Sequence, residues 1–527
     1  MAVKVNIAGA GVYGLAVGCY LQMNGFDTEI FEMHDQPGGL CTTWTRKGYS
    51  FDACIHWLMG SSPKSNMHQM WKELGAVQGR EFVEWDAYAQ VRTQGGERFT
   101  VYTDPDKLEA EMLRVAPEDA STIRSVCHAI RRTSKLDMIV TKERVGLLGR
   151  VATALPWVAF GPTMKRWASI DIATFASRLR SPVLAEVFRR IFGSEDAGGG
   201  MPTIAVIMML GFMHKKSCGY PIGGSLAFAR AIERRYRELG GRVHYGSRVE
   251  RILVEDDRAV GLVATGKEYR SDEVISCIDG RTTLYDLLGG KYLNSEQRAA
   301  YESFPLFPAL IYVSLGIDRD LSTLPHMCVF PLPRPISLED GAITLKQLAV
   351  RFFTFDPAMA PPGKTTGEVM IESWGIEYWR NLREHEPKRY REEKSHIAEL
   401  VVDALDAEFG DIKRHVEVTD VATPVTWERY TGNWKGSYEG FLPTGKTMMK
   451  HLGFAVPRLE NFSMHSQWVS VGGGLPPAGT DGRALAQRLC KKYGKRFRAT
   501  VPEFPGTGHG PGPEQQTEAQ LHAPATE

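Results

Sequence analysis

Gly9, Gly11 and Gly14 stand in the spacing G-x-G-x-x-G directly behind residues 3–8 (VKVNIA), an apolar run that predicts a short central strand. Such a turn brings the backbone close to a pyrophosphate, and the helix it opens points unpaired N–H groups at the phosphates. In this pattern Gly9 makes the tight turn, Gly11 allows the close approach, and Gly14 lets helix and strand pack. Val12 and Tyr13 complete the turn, and Leu15 to Asn24 carries the apolar content of the helix. Gly25 ends the helix, and Thr28–Phe31 predicts a second strand closing on Glu32. A carboxylate there can accept hydrogen bonds from an adenosine ribose, and it disfavours a 2′-phosphate because two negative charges would meet.

The next residues choose between dinucleotides. Gly38, Gly39 and Leu40 follow in a glycine-containing loop instead of a quick return to a crossover helix, and Gly48–Asp52 predicts a further strand leading to His56 and Trp57. A second glycine pair just past the ribose-binding acid suits a long, extended FAD. Near the other end, residues 462–468 (FSMHSQW) predict a strand, Gly472-Gly473-Gly474-Leu475 a turn, and 480–492 a helix. Its N-terminus is again an anion-facing or flavin-facing arrangement.

The stretches PGGLCTTW and GYSFDACIHWLMG resemble the phytoene desaturase-like FAD oxidoreductases, the group that includes carotenoid isomerases and retinol saturases. Gly219–Ser225 (GYPIGGS) with its following helix, residues 423–427 (TPVTW) and the C-terminal glycine run are similar to that family's later segments. The resemblance implies an α/β fold: a Rossmann-like FAD-binding domain of the GR2 flavoprotein type with an inserted α+β substrate domain. It divides the chain into FAD-domain segments at 1–65, 219–295 and 431–495. Substrate segments lie at 66–218 and 296–430, and a disordered tail at 496–527. It further implies that Val249 meets the adenine through its backbone and that Gly473, Gly474 and Leu475 close over the flavin. His56 matches a retinol saturase histidine.

Catalytic side chains are harder to name. The chain has no G-x-S-x-G, no C-x-x-C and no metal-ligand cluster, so a metal is not expected, and hydride chemistry on a hydrocarbon needs few polar groups. His56, Trp57 and His465 are the candidates, with His214 and Trp468 more simply explained as a solvated turn and packing. A desaturase, saturase or double-bond isomerase of a large apolar isoprenoid, carotenoid or retinoid is the leading expectation. A flavin amine or amino-acid oxidase is the second; it would want an aromatic cage or a carboxylate-binding arginine, for which Arg46 and Arg429 cannot be placed. A prenyl-binding protein without flavin is the third, and the retained glycines and Glu32 argue against it.

The elements positioning these residues belong to a chain of 527 residues with 43% hydrophobic and 24% charged residues, the balance of a folded enzyme with several domains. A net charge of +1 gives no pull toward nucleic acid. The eight cysteines, at 19, 41, 54, 127, 218, 277, 328 and 490, show no disulfide spacing, and the start lacks a signal peptide, so a cytoplasmic protein is expected. Two apolar runs, Val151–Phe160 and Ile204–Met213, read as core, as the wall of a greasy tunnel, or as a contact with the inner face of a membrane. Arg144, Arg150, Lys165 and Arg166 flank the first and could meet headgroups.

Overall fold

The computed structural model describes residues 2–137, 147–193, 201–444, 447 and 450–503. Five parallel strands form one sheet in the order Arg242–His244, Asp27–Phe31, Lys4–Ala8, Glu273–Ser276 and Phe462–Met464. Both faces of the central strand are covered: Val5, Ile7 and Ala8 have no exposed surface, and the buried Asn6 among them donates to the Tyr269 carbonyl. Its strands come from the three stretches that the glycine motifs had linked. The helix Val12–Met23 packs on this sheet between the helices Gly224–Glu238 and Leu475–Lys492. Arg483 and Tyr20 both donate to Glu73 Oε2, at 3.2 and 2.9 Å, and tie the first and last of these helices to the helix Asn66–Glu73.

Seven strands make the second sheet, in the order Val416–Ala422, Ala309–Ile317, Thr365–Ser373, Ile343–Phe352, Met327–Leu338, Ala87–Arg92 and Arg98–Tyr102. Side chains alternate across it. Ile311, Val313, Val369, Val350 and Phe352 face a core shared with Trp379, Ile397, Val401 and Leu405 of two covering helices. The opposite face carries Tyr312, Ser314, Glu368 and Arg351, the last three on adjacent strands in register. That face meets the end of the strand Tyr49–Asp52: Tyr312 donates to the Asp52 carbonyl at 2.8 Å, and the Asp52 N–H donates to Glu368 at 2.6 Å.

Several elements differ from expectation for local reasons. Residues 301–317 read as one strand, but Ser295–Ser303 is a helix, started by a capping box between Asn294 and Gln297, and the strand begins only at Ala309. The C-terminal helix begins at Leu475 instead of Thr480, because Pro476 and Pro477 fall in its first turn, where no N–H is needed. The proline- and glycine-rich stretch 356–363 (DPAMAPPG) reads as an exposed loop; it is a loop, but Asp356 and Met359 are buried, and Asp356 accepts the Gly223 N–H at 2.8 Å. Of the two apolar runs, Ile204–Met213 is chiefly core. The first lies in the helix Leu147–Ala168 and leaves Leu155 and Val158 exposed. Arg144 lies outside the described residues, as does the side chain of Arg150. The start of the expected tail is packed: Asn24 and Arg498 exchange two hydrogen bonds, and Phe497 lies against Tyr20. Residues 504–527 lie outside the described residues. Among the described residues no helix is long and apolar enough to cross a membrane.

Candidate active site

The glycine turn sits at the carboxyl end of the central strand, where open α/β sheets hold their ligands. Gly9 has φ +96°, a left-handed conformation closed to most side chains, and its N–H donates to the Phe31 carbonyl. Gly11 takes the N-cap of the first helix, and the Gly38 N–H donates to the Ala10 carbonyl at 2.9 Å, which lays Gly38 and Gly39 alongside Gly11. Glu32 accepts from the Ala10 and His34 N–H groups at 2.7 and 2.9 Å, so the acid also braces the turn. The Ser247 N–H donates to the Glu32 carbonyl, placing the stretch that leads to Val249 beside that acid. Val249 packs with Ala8 and Phe31. A surface groove around Lys4, Arg258, Glu273 and Lys492 lies at the opposite, amino ends of these strands and touches none of these residues.

The C-terminal turn meets this one. Tyr13 donates its hydroxyl to the Gly474 carbonyl at 3.0 Å, joining the first glycine motif to the last. A Cβ on Gly474 would lie 2.5 Å from Glu439 Oε1, and one on Gly473 2.5 Å from the Glu439 carbonyl oxygen. The Glu439 side chain has no hydrogen bond among the described residues, and burial alone pushes its carboxyl up to about 8. Gln467 packs on Gly473 with its Nε2 buried and unpartnered. Leu475 opens the final helix beside them.

Toward the large sheet the lining turns apolar. Leu40, Ala53 and Tyr438 pack with Leu310 and Tyr312. Trp57, Tyr88, Met208 and Met209 form the next patch, each only partly buried. Burial with the nearby Arg351 charge holds the His56 imidazole well below the usual range. Arg351 itself has its Nη1 buried without a partner. Asp52 accepts from the Tyr220 hydroxyl and the Ser225 N–H, and Glu368, pushed up to about 8 chiefly by burial, accepts from the Tyr312 hydroxyl.

The structure thus brings His56 and Trp57 to the sheet-facing side and separates them from His465. That histidine is fully buried beneath the final helix, its Nε2 3.2 Å from the Ala478 carbonyl and its ring edge-on to Tyr13. Burial lowers it to about 3. His465 therefore stays neutral and positions the helix and Tyr13. His465→Phe is expected to leave the midpoints of the pH–rate profile unmoved between about pH 5 and 9 while lowering Tm, because a group held near 3 does not titrate in that window. A midpoint that moves would give the imidazole a proton-transfer role. Glu439, Arg351 and Glu368 were missed by motif reading; the two strand residues were visible only as single charges inside apolar runs (QLAVRFF, TGEVMI).

A sequence model described as flavin containing amine oxidoreductase matches residues 14–478. The chain belongs to the flavin-containing amine oxidoreductase family. As a member of that family it is an FAD-dependent oxidoreductase. The residues fit the cofactor, since a Cβ on Gly11 would find nothing nearer than 3.9 Å, leaving a backbone approach open, and the buried Gln467 donor lacks a partner beside the second turn. The 4,4′-diapophytoene desaturase (4,4′-diapolycopene-forming) of a Methylomonas species is 24% identical over 94% of this chain and 96% of its own. The chloroplastic prolycopene isomerase of Arabidopsis thaliana is 24% identical over 83% of this chain and 74% of its own. An oxidoreductase from Methanosarcina mazei shares the fold, with a TM-score of 0.58 at 17% identity, covering 92% of this chain and 100% of that one.

Proposed function

We propose that this flavoenzyme moves hydrogen on the carbon–carbon double bonds of a large apolar, isoprenoid-like substrate of the carotenoid or retinoid type. The observation that carries the reading is the apolar patch of Trp57, Tyr88, Met208 and Met209, each only partly buried, with the neutral His56 adjoining Trp57 in the chain. The relatives' names support it. The retained glycine turns count against a protein that binds prenyl groups without flavin.

In this reading Gly9, Gly11, Val12, Tyr13 and Gly14 hold the pyrophosphate, Glu32 the ribose and Val249 the adenine. Gly38, Gly39 and Leu40 carry the chain of the cofactor toward Gly473, Gly474 and Leu475 at its flavin end. FAD, when bound, supplies a site that takes up or returns a hydride. The protein orients the polyene between Trp57 and the sheet, excludes water, and holds a proton on Glu439. Exposed Leu155 (62%) and Val158 (71%), with Lys165 and Arg166 farther along the helix, support peripheral contact with a membrane from which such a substrate is drawn.

The test is an anaerobic absorbance scan of the holoenzyme, oxidised and pre-reduced, with a polyene mixture and with a panel of primary amines. A polyene that re-oxidises the reduced enzyme, bleaches the oxidised one, or isomerises on the reduced one is the expected result. Bleaching by amines alone would replace the reading with amine oxidation.

A further inference from the structure

Two of the eight cysteines stand opposite each other beside the second glycine loop. The hairpin of Thr43–Arg46 and Tyr49–Asp52 pairs Thr43 with Asp52, and past it the Ala53 N–H donates to the Thr42 carbonyl at 3.1 Å. Carried one position further, that register sets Cys41 against Cys54. Opposed residues of an antiparallel pair have Cα atoms about 4.5–5.5 Å apart, inside the span of about 4.4–6.8 Å that a disulfide bridges. Both cysteines also close on one residue. The Cys41 thiol donates to the Ser225 carbonyl at 3.3 Å, and the N–H of Ile55, next to Cys54 in the chain, donates to the Ser225 hydroxyl at 2.8 Å. Cys54 packs against the core that contains Cys41, and its thiol pushes the Cys41 thiol up more than burial does. Both are free thiols, Cys41 buried and Cys54 only partly so. The other six cysteines are buried, and none of them is raised by a second cysteine.

We propose that Cys41 and Cys54 are a reversible disulfide pair, closed by a small-molecule disulfide and opened by a thiol, that ties the end of the loop carrying Gly38 and Gly39 to the end of the strand Tyr49–Asp52. Cys54 reacts first, because it has the more exposed surface. Its thiolate attacks one sulfur of the oxidant, a mixed disulfide forms, and one small thiolate leaves. Capping Cys54 takes away the thiol that did most to keep Cys41 protonated. Cys41 then gives its proton to solvent and attacks the Cys54 sulfur. The bond between the two cysteines forms, and the second small thiolate leaves. The cysteines lose two electrons and two protons, and the oxidant becomes two thiols. The pair goes beyond the substrate reading above and stands whether or not that reading holds.

The experiment equilibrates the holoenzyme with cysteamine and its disulfide, cystamine, in ratios from all thiol to all disulfide, then quenches with acid and alkylates in denaturant. Cleavage after Glu32, Arg46, Lys47 and Lys64 separates Cys41 from Cys54 and from Cys19, and the peptides are read by mass. The peptides Met33–Arg46 and Gly48–Lys64 are expected to lose their alkyl groups together, over one range of ratios. They should appear instead as a single linked species, lighter than their sum by two hydrogens, and dithiothreitol should restore both. The six buried cysteines should remain alkylated throughout. Cys54→Ser is expected to leave Cys41 a thiol at every ratio, and Cys41→Ser to stop Cys54 at the mixed disulfide. A cysteamine cap on Cys54 of the unaltered enzyme, with Cys41 still a thiol, overturns the pair. So do two thiols that survive a large excess of cystamine. Both of those outcomes are read on the unaltered enzyme, so a variant that fails to fold leaves the question decided.

Discussion

Gly11→Val is expected to give a folded protein that purifies without its yellow colour. The two outer glycines of the motif and the central one do different work. Gly14 is a packing position: a Cβ there would lie 2.0 Å from the Gly9 carbonyl oxygen, so helix and turn would have to move apart. Overpacking of that kind costs about 1–3 kcal/mol, and Gly14→Ala should lower Tm whether or not FAD is present. Gly11 has φ −62° and ψ 170°, extended backbone that any residue adopts, and its Cβ would meet no protein atom closer than 3.9 Å. Nothing in the protein requires glycine there, so the need must come from what approaches it. A branched side chain at Gly11 holds the pyrophosphate off the helix N-terminus and breaks hydrogen bonds to charged oxygens, each about 1.5–3 kcal/mol. FAD affinity should fall about 100-fold or more, while the Tm of the flavin-free protein stays that of the flavin-free parent. Flavin absorbance per mole and a thermal melt of both apoproteins separate the two glycines. A Gly11→Val protein that retains stoichiometric FAD would move the pyrophosphate off this turn.

The difference between those glycines also marks what sequence reading can reach. The strand, turn, helix and acid from Lys4 to Glu32 are local: each residue's role is fixed by neighbours a few positions away, so the motif is legible as written. That Lys4–Ala8, Glu273–Ser276 and Phe462–Met464 belong together was legible too, because each lies in a stretch with its own glycine motif, but that Glu273–Ser276 pairs with both of the others was not. Pro476 and Pro477 misled because proline breaks a helix interior but suits its first turn, a distinction of one or two positions. The sheet-facing side was out of reach. Arg351 and Glu368 become neighbours only through the register of two strands, and Glu439 meets Gly474 only through the fold. His56 and His465, both visible as histidines in promising stretches, differ in burial and partners, and no local pattern encodes that.

The larger chemical consequence falls on Glu439. Saturating a double bond adds a hydride to one carbon and a proton to its neighbour, and desaturation removes both, so one group beside the flavin end must hold the proton. Among the described residues Glu439 has no hydrogen-bond partner to stabilise its charged form, and burial pushes it up to about 8 from the ordinary 4.5. Below about pH 8 it therefore carries its proton, ready to give it, which favours saturation or isomerisation over desaturation near neutrality. In the proton-giving direction the rate should be flat at low pH and fall as pH rises through about 8. Glu439→Gln keeps the shape and removes the proton, and should cut turnover by about 100- to 1000-fold with FAD content unchanged. The residual rate should lose its dependence on pH above 7.5 or so. A second readout needs no substrate. A carboxyl whose folded-state value lies above its unfolded one favours folding in its protonated form, so its stabilising contribution is full below 4.5 and is lost as pH rises toward about 8. Melts from pH 5 to 9 should show the parent losing stability over a stretch where Glu439→Gln holds level. If turnover instead climbs through pH 8 and the variant abolishes the climb, Glu439 acts as a base and the enzyme runs toward desaturation. If neither rate nor melt distinguishes the variant, the proton resides elsewhere and Glu439 only fills the space beside Gly474.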